Sequence, residues 1–231
     1  MKSLIMLGGI PYSGKSSLGE RIRARWEGRC TYINFDRLFH ETASRGEIFF
    51  KYLEGLNKQV HDSVVLGSLK NGVGEKDEML KDFARAVISK EQGLETFQFL
   101  LQSVALVYLA DRLRELDTGV VVEGRFTNRK NRQGTYEQIK SNLARFSYTP
   151  NLDEVQKVFL FINLGLNNSL ERYKKGRTNS YASICTSEKE IRGQYSVQSI
   201  PSSKELPNLD VIVISSAKEV NSAVEKVGKY F

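Results

Sequence analysis

Cysteine and histidine are scarce in this chain of 231 residues, which contains two of each. Cys30 and Cys185 lie far apart and form no C-x-x-C or cysteine–histidine pattern, so we expect two free thiols. His40 and His61 have no partner at the spacing of metal ligands. These residues therefore argue against a zinc site, a disulfide framework and a redox centre.

Long apolar runs and a targeting segment are also lacking. The most apolar run, 104–110, is much shorter than the ~20 residues of a membrane-spanning helix. The first residues show neither an extended apolar region nor a small-residue cleavage site. We therefore expect a soluble, cytoplasmic protein that is not membrane-bound. No repeat or linker divides the sequence, whose length suits one large domain.

The charge of the chain is moderately basic, with a formal net value of +7 at pH 7. An excess of positive charge favours anionic substrates. It also allows binding to nucleic acid, although it does not require it. The position of the basic residues is therefore more informative than their number.

The first part of the chain contains the most specific pattern. Residues 2–8 form a short apolar run typical of a strand. Residues 9–16 then read G-I-P-Y-S-G-K-S, which fits the spacing G-x-x-x-x-G-K-[ST]. In residues 17–26, apolar side chains recur every four positions, as on one face of a helix. The order is thus strand, glycine loop and helix.

This order is suited to binding a phosphate group. The backbone N–H groups of such a loop and of the following helix start form a concave anion site. Glycine at positions 9 and 14 allows a close approach of the backbone, Lys15 would reach the β- and γ-phosphates, and the Ser16 hydroxyl would bind Mg²⁺. The alternative is a glycine turn at a helix start that binds no ligand. The loop residues that we expect to contact the nucleotide are Gly9, Ser13, Gly14, Lys15, Ser16 and Ser17.

The rest of the chain alternates apolar strands with helices. The predicted later strands are 30–35, 120–123, 155–163 and 209–215. The predicted later helices are 46–67, 75–91, 94–117, 134–146, a start at 168–177, and 218–230. Residues 178–208 have little apolar periodicity and are predicted to be a mobile loop.

This alternation predicts an α/β fold with a five-stranded, mostly parallel sheet covered by helices on both faces. Residues 37–117 form a helical insertion between the second and third strands. Residues 165–208 form a lid-like segment. We expect all of these parts to belong to a single domain, 1–231.

Charged residues follow the strands at the edge of the sheet where ligands bind in such folds. They are Asp36 and Arg37 after the second strand, Glu123 and Arg125 after the third, and Arg172, Lys174, Lys175 and Arg177 after the fourth. Asp36 is the candidate general base, although Asp in this position also commonly caps a helix. Glu123 could hold Mg²⁺ directly or through water, or could form an ion pair with Arg125.

The basic residues have two interpretations. Arg172 and Arg177 fit a lid that stabilises charge on a transferring phosphoryl group, although a run of charges on a helix is usually a solvated face. Arg125, Arg129 and Arg132 could bind an acceptor phosphate, guide a nucleic-acid strand or face solvent. The residues that we expect near the acceptor are Asp36, Arg37, Arg125 and Arg129.

Taken together, these motifs resemble the P-loop NTPases, and within them the branch of small-molecule and nucleotide kinases. This branch includes nucleoside monophosphate kinases, polynucleotide 5′-hydroxyl kinases, zeta-toxin-like kinases and small sugar or antibiotic kinases. The resemblance implies ATP and Mg²⁺ as cofactors, with the acid after the second strand meeting the acceptor. The run Glu123-Gly-Arg125 also resembles the Glu-Arg pair of deoxynucleoside kinases. No N-K-x-D motif is present, which argues against a GTPase.

The sequence thus predicts an ATP- and Mg²⁺-dependent kinase that acts on a hydroxyl or phosphate acceptor, either a small molecule or a nucleotide. One alternative is a polynucleotide 5′-hydroxyl kinase, which the net charge and the basic residues from Arg129 to Arg132 favour. Nucleic acid is thus a possible partner, but a small-molecule or nucleotide acceptor is the favoured one. Another is an ATP-binding regulatory or adaptor protein with little catalysis.

Overall fold

The computed structural model describes residues 1–53, 76–89, 93–124, 126–146, 151–175 and 187–231. Their strands form one sheet of five, in the order β2-β3-β1-β4-β5, and all neighbouring strands are parallel. The strands are β1 (Ser3–Gly9), β2 (Cys30–Asn34), β3 (Gly119–Glu123), β4 (Gln156–Ile162) and β5 (Leu209–Ile214). The predicted α/β fold with five parallel strands is confirmed.

Helices connect the strands. They are α1 (Lys15–Arg25), α2 (Phe35–Ser44), α3 (Gly46–Leu53), α4 (Lys76–Ile88), α5 (Gly93–Arg114), α6 (Arg129–Arg145), α7 (Leu166–Lys174), α8 (Glu188–Ser196) and α9 (Glu219–Val227). A short 3₁₀ helix, Gly228–Tyr230, follows α9. None of the helices in the described ranges combines the length and the apolar character that crossing a bilayer requires.

Strand β1 lies in the middle of the sheet, and all of its residues are buried. Apart from Ser3 it consists of apolar residues and glycine, which fits a strand with both edges paired and both faces covered. In the register of the sheet, Leu7 lies beside Glu123 of β3 and Leu160 of β4. The residues that follow β1, β3 and β4 therefore leave the sheet at the same edge.

Helices cover both faces of the sheet. On one face, α1 and α9 pack on alternate residues of the inner strands. This core contains Ile5, Leu7, Leu18, Ile22, Val121, Val158, Leu160, Ala223, Val224 and Val227. On the other face, Arg132 of α6 lies 5.5 Å from the centre of the Phe159 ring, and Phe126 packs edge-on against the same ring.

The contacts divide the chain into two compact units, one formed by Met1–Asp36 with Leu113–Phe231 and the other by Arg37–Arg112. The second unit contains a cluster of aromatic rings around Phe49. In this unit Tyr52 stacks on Tyr108 and donates a hydrogen bond to Asp111 at 2.8 Å. That the whole chain acts as one domain stays a prediction.

Two local predictions were wrong. Residues 188–196 of the predicted loop 178–208 form helix α8, which begins after Ser187, whose hydroxyl accepts a hydrogen bond from the N–H group of Glu190. Only Ile191 of this helix is buried, which explains the weak apolar periodicity. Helix α6 begins at residue 129 rather than 134, because Asn128 caps it by accepting from the N–H group of Asn131.

Other boundaries shift by a few residues. Strand β2 ends at Asn34, so Phe35 and Asp36 already belong to α2. Much of the predicted helix 46–67 lies outside the described residues, as do His61 and Cys185.

Candidate functional site

The glycine loop follows β1 in the conformation that its two glycines allow. Gly9 and Gly14 have φ values of 143° and 101°, which other residues rarely adopt. A Cβ atom on Gly9 would lie 2.8 Å from both the Ile162 carbonyl oxygen and Ser13 Oγ, and one on Gly14 would lie 2.7 Å from Arg172 Nη1. Position 9 therefore needs glycine for space as well as for backbone geometry, whereas position 14 needs it mainly for backbone geometry, because the end of the Arg172 side chain can move.

The loop encloses a hydroxyl group that lacks a protein partner. Ser13 is only 3% exposed, and its Oγ makes no hydrogen bond within the described part of the chain. Buried hydroxyl groups are nearly always hydrogen-bonded. An orphaned hydroxyl in a loop of this type is what an oxygen of a bound phosphate would satisfy. Ser17, in contrast, is exposed.

Lys15 begins helix α1, and no described side chain caps the N-terminus of this helix. The Lys15 side chain is 8% exposed, and its Nζ donates a hydrogen bond to the Ile10 carbonyl oxygen at 2.9 Å. The ammonium group is thus held against the backbone of the glycine loop. This places a positive charge beside the start of α1, where the helix dipole also favours an anion.

Ser16 and Glu123, the two predicted metal ligands, are in direct contact. Ser16 Oγ donates a hydrogen bond of 2.8 Å to Glu123 Oε1. The other carboxylate oxygen, Oε2, accepts from the Tyr32 hydroxyl and from Asn34 Nδ2, the latter at 3.0 Å. Glu123 is 4% exposed. The helix start and two neighbouring strands therefore bring four polar side chains together.

Burial raises the pKa of Tyr32, and the neighbouring Glu123 carboxylate raises it further. Tyr32 is therefore a neutral hydrogen-bond donor at physiological pH. Sequence reasoning missed Tyr32 and Asn34, although both lie on one face of β2 at a spacing of two residues. The alternation shows that the two side chains share a face of β2. It does not show that β2 pairs with β3, which carries Glu123.

Arg172 lies over the glycine loop. Its Nη1 donates to the carbonyl oxygen of Ser13 at 2.9 Å and is 3.4 Å from that of Tyr12. Beside this contact, the Tyr12 and Tyr173 rings meet edge to face, with their centres 5.4 Å apart. The buried residues Ile10, Leu170 and Ile191 form a small core with them. The described part of the lid-like segment thus packs directly on the loop.

Arg132 is fully buried, so its side chain can contact neither solvent nor nucleic acid. It is 0% exposed, and its guanidinium group donates to both carboxylate oxygens of Glu205 at 2.7 Å. It also donates to the Ser199 carbonyl oxygen at 2.8 Å. The predictions that Arg132 contacts an acceptor phosphate, contacts nucleic acid or faces solvent were therefore wrong. The polynucleotide kinase alternative thus loses one of the basic residues that could have contacted the nucleic acid.

The other predicted site residues are placed as follows. Asp36 lies half-buried in the first turn of α2, two residues beyond Asn34. Arg37 is exposed, and its Nε lies 3.5 Å from Glu41 on the same helix. Arg129 is exposed at the start of α6. Arg125 and Arg177 lie outside the described residues.

The residues present fit a nucleotide phosphate and a magnesium ion. The phosphate would be held by the loop backbone, Lys15 and the Ser13 hydroxyl. Mg²⁺ prefers oxygen ligands and is usually bound by one or two protein groups together with substrate phosphates. Ser16 and Glu123 supply oxygens of this type. Among the described residues, no group of three His, Cys, Asp or Glu side chains forms a metal site of another kind.

Solved structures share the fold of this chain. TT1252 from Thermus thermophilus has a TM-score of 0.50 and 16% identity, over 98% of this chain and 96% of that one. A Chloroflexus aurantiacus protein provisionally described as a kinase has a TM-score of 0.52 and 14% identity, over 99% and 98%. A sugar kinase from Janibacter has a TM-score of 0.50 and 10% identity, over 100% and 94%. The chain therefore has the α/β fold of these structures.

Sequence comparison gives no family. No protein-family model matches the chain, and no curated protein resembles it closely enough in sequence to count as a match. At the identities above, the structural likeness is evidence of the fold alone.

Replacing Gly14 by alanine is expected to lower the free energy of unfolding by ~1–3 kcal/mol, because a side chain at this φ is strained and would displace Arg172. The matched control is Gly134→Ala in α6, where a Cβ would meet no atom within 4 Å. That change should leave stability equal or slightly higher. Urea unfolding of both variants makes the comparison. A Gly14→Ala variant as stable as the control would contradict the loop geometry.

Proposed function

We propose that this protein is an ATP- and Mg²⁺-dependent kinase that transfers the γ-phosphate of ATP to a hydroxyl or phosphate acceptor. The observation that carries the proposal is the hydrogen bond of 2.8 Å between Ser16 and Glu123 beside the buried Lys15. It joins a hydroxyl, a carboxylate and an ammonium group at the end of a glycine loop. These are the groups that a metal-bound polyphosphate requires.

Each of these groups has a separate task in the proposed reaction. The backbone of the loop and the Lys15 ammonium group bind the β- and γ-phosphates. The Ser13 hydroxyl, which lacks a described partner, donates to a phosphate oxygen. Arg172 is proposed to stabilise negative charge on the phosphoryl group, and its contact with the glycine loop beside Gly14 supports this role.

Ser16 and Glu123 are the residues proposed to hold the metal. The chemistry that Mg²⁺ would supply when bound is neutralisation of the negative charge that develops on the phosphates. The Ser16 proton is donated to Glu123, so the lone pairs of the hydroxyl oxygen can face a cation. The carboxylate provides the negative charge at this position.

Asp36 is proposed to act on the acceptor. It lies in the first turn of α2, just after β2, and is half-buried, which suits a carboxylate that accepts a proton from a hydroxyl group. If the acceptor is itself a phosphate, Asp36 would orient it. Arg129, exposed at the start of α6, is proposed to bind an anionic part of the acceptor.

The test is transfer of label from γ-labelled ATP, with Mg²⁺, to a panel of acceptors. The panel contains nucleosides, nucleoside monophosphates, sugars, nucleotide sugars, hydroxylated antibiotics and 5′-hydroxyl oligonucleotides. We expect label on one class of acceptor. The Asp36→Asn variant should transfer it about 100-fold more slowly.

Asparagine separates the two roles considered for Asp36. It favours a helix start about as well as aspartate does, but it cannot accept the proton. A slow but fully folded variant therefore indicates a base, and unchanged transfer would reject this role. Tight ATP binding without label on any acceptor would contradict the kinase proposal and favour an ATP-binding regulatory protein. Label on oligonucleotides alone would identify a polynucleotide kinase.

A further inference from the structure

The two oxygens of the Glu123 carboxylate have different partners. Oε1 faces the helix start and accepts from Ser16. Oε2 faces β2 and accepts from Tyr32 and Asn34. We propose that Tyr32 and Asn34 are positioning residues, which hold Glu123 in the orientation that presents it and Ser16 to a divalent metal ion. This inference rests on the proposed function and deepens it.

The register of the sheet makes this arrangement possible. Asn34 lies directly beside Glu123 in the pairing of β2 with β3, so its amide reaches Oε2 from the neighbouring strand. Tyr32 precedes it by two residues on the same face, and its long side chain extends to the same oxygen. Two donors from one strand therefore fix one carboxylate oxygen.

Gly19 provides the space for the Tyr32 ring. A Cβ atom on this residue of α1 would lie only 2.3 Å from Tyr32 Cε2. Glycine inside a helix is less favourable than alanine. The chain nevertheless has glycine where the Tyr32 ring packs against α1. This residue therefore leaves the room that Tyr32 needs to reach Glu123.

The chemistry of the two donors favours a cation beside Glu123. Both the tyrosine hydroxyl and the asparagine amide are neutral, so they orient the carboxylate without neutralising its charge. With Oε2 fixed, Oε1 is aimed at the Ser16 proton, and the remaining lone pairs of both groups are available to a metal. Partners of this kind commonly change metal affinity or activity about 10- to 100-fold when they are removed.

The same contacts could instead serve only to join β2, β3 and α1. A purely structural role would affect the free energy of unfolding but would not alter the dependence of ATP binding on metal. The experiment therefore measures ATP affinity by calorimetry at a series of Mg²⁺ concentrations and in EDTA. Binding of Mn²⁺ in the presence of ATP, followed by electron paramagnetic resonance, gives a second readout that does not require turnover.

Tyr32→Phe is the principal variant, because it keeps the ring and removes only the hydroxyl. Its matched control is Tyr136→Phe, which removes a hydrogen bond of 2.6 Å from the buried Tyr136 to the Asp153 carboxylate, before the start of β4. We expect Tyr32→Phe to weaken Mn²⁺ binding and the Mg²⁺-dependent gain in ATP affinity about 10-fold. ATP affinity in EDTA should not change. Tyr136→Phe should leave both quantities unchanged.

A double-mutant cycle tests whether Tyr32 acts through Glu123. If it does, Tyr32→Phe should have little further effect in the Glu123→Gln background, so the two effects will not add. Asn34→Ala provides an independent variant if Tyr32→Phe does not fold, since it removes the other donor to Oε2.

Three results would overturn the inference while leaving the kinase proposal intact. They are an unchanged metal dependence in Tyr32→Phe and Asn34→Ala, an equal loss of affinity with and without metal, and additive effects in the cycle. Failure of the wild-type protein to bind ATP more tightly with Mg²⁺ would instead contradict the proposed function, and the inference with it. The wild-type titration thus distinguishes the two failures.

Discussion

Replacing Lys15 with methionine is expected to slow phosphate transfer from ATP about 1,000-fold, at the upper end of the loss seen when one group that stabilises transition-state charge is removed. Methionine keeps most of the apolar stem but lacks the ammonium group. Because Nζ is held at 2.9 Å from the Ile10 carbonyl oxygen, the charge occupies a fixed place beside the loop. Single-turnover transfer from labelled ATP, with binding measured separately, checks the expectation.

A second buried lysine provides the control. Lys157 lies near the start of β4, at the end of the strand opposite to the glycine loop. Its Nζ donates hydrogen bonds to the carbonyl oxygens of Leu152, Asp153 and Val155. Lys157→Met should lower the free energy of unfolding by at least ~1 kcal/mol, because it leaves these carbonyl groups without a donor. Under conditions where the variant is folded, transfer should be normal. Equal losses of transfer in both variants would show that Lys15 contributes through stability and not through charge.

Glu205→Gln is expected to lower the free energy of unfolding by ~3–5 kcal/mol, which is the usual cost of leaving one charge of a buried ion pair without its partner. Arg132 and Glu205 have side chains that are 0% and 4% exposed, respectively. Glutamine keeps the shape but leaves the guanidinium charge buried. The matched control is Glu225→Gln, since Glu225 pairs with Arg25 at the surface, where both side chains are more than half exposed. That change should leave the free energy of unfolding nearly unchanged, because an exposed ion pair contributes little to stability.

The pH dependence of unfolding tests the same pair. Burial alone would raise the pKa of Glu205, but the hydrogen bonds and the positive charge of Arg132 outweigh it, and the pKa lies below its usual value. A lowered pKa contributes stability that is present above the unfolded value of about 4.3 and is lost as the pH falls through the folded value. Wild-type protein should therefore lose stability more steeply in acid than Glu205→Gln. Parallel acid profiles for the two proteins would contradict this assignment.

The fold could be predicted because its signals are local. Alternating apolar runs and helix patterns identify the elements, and the glycine loop identifies the strand that precedes it. Lys15 and Ser16 were found for the same reason, since they are adjacent to the loop. Glu123 was found because it follows a run of valines. Their roles in catalysis and metal binding stay predictions.

The features that the sequence did not predict depend on contacts between distant parts of the chain. Tyr32 and Asn34 reach Glu123 only because β2 pairs with β3 in one particular register. Arg132 is buried because Glu205, far along the sequence, meets it. No local pattern distinguishes such an arginine from one that faces solvent. Helix α8 was missed because a single buried residue, Ile191, leaves no period to detect.

The central place of β1 has a consequence for the order in which the protein is made. This strand is made before the other four strands of the sheet, and its partners β3 and β4 come much later in the chain. Gly9 meets the Ile162 carbonyl only at the end of β4. At translation rates of about 5–20 residues per second, roughly 5–20 s pass after β1 is made before β3, its first neighbour in the sheet, is made. During synthesis, β1 is thus an apolar segment without its partners, and the surroundings of the glycine loop are completed only when the fourth strand has been added.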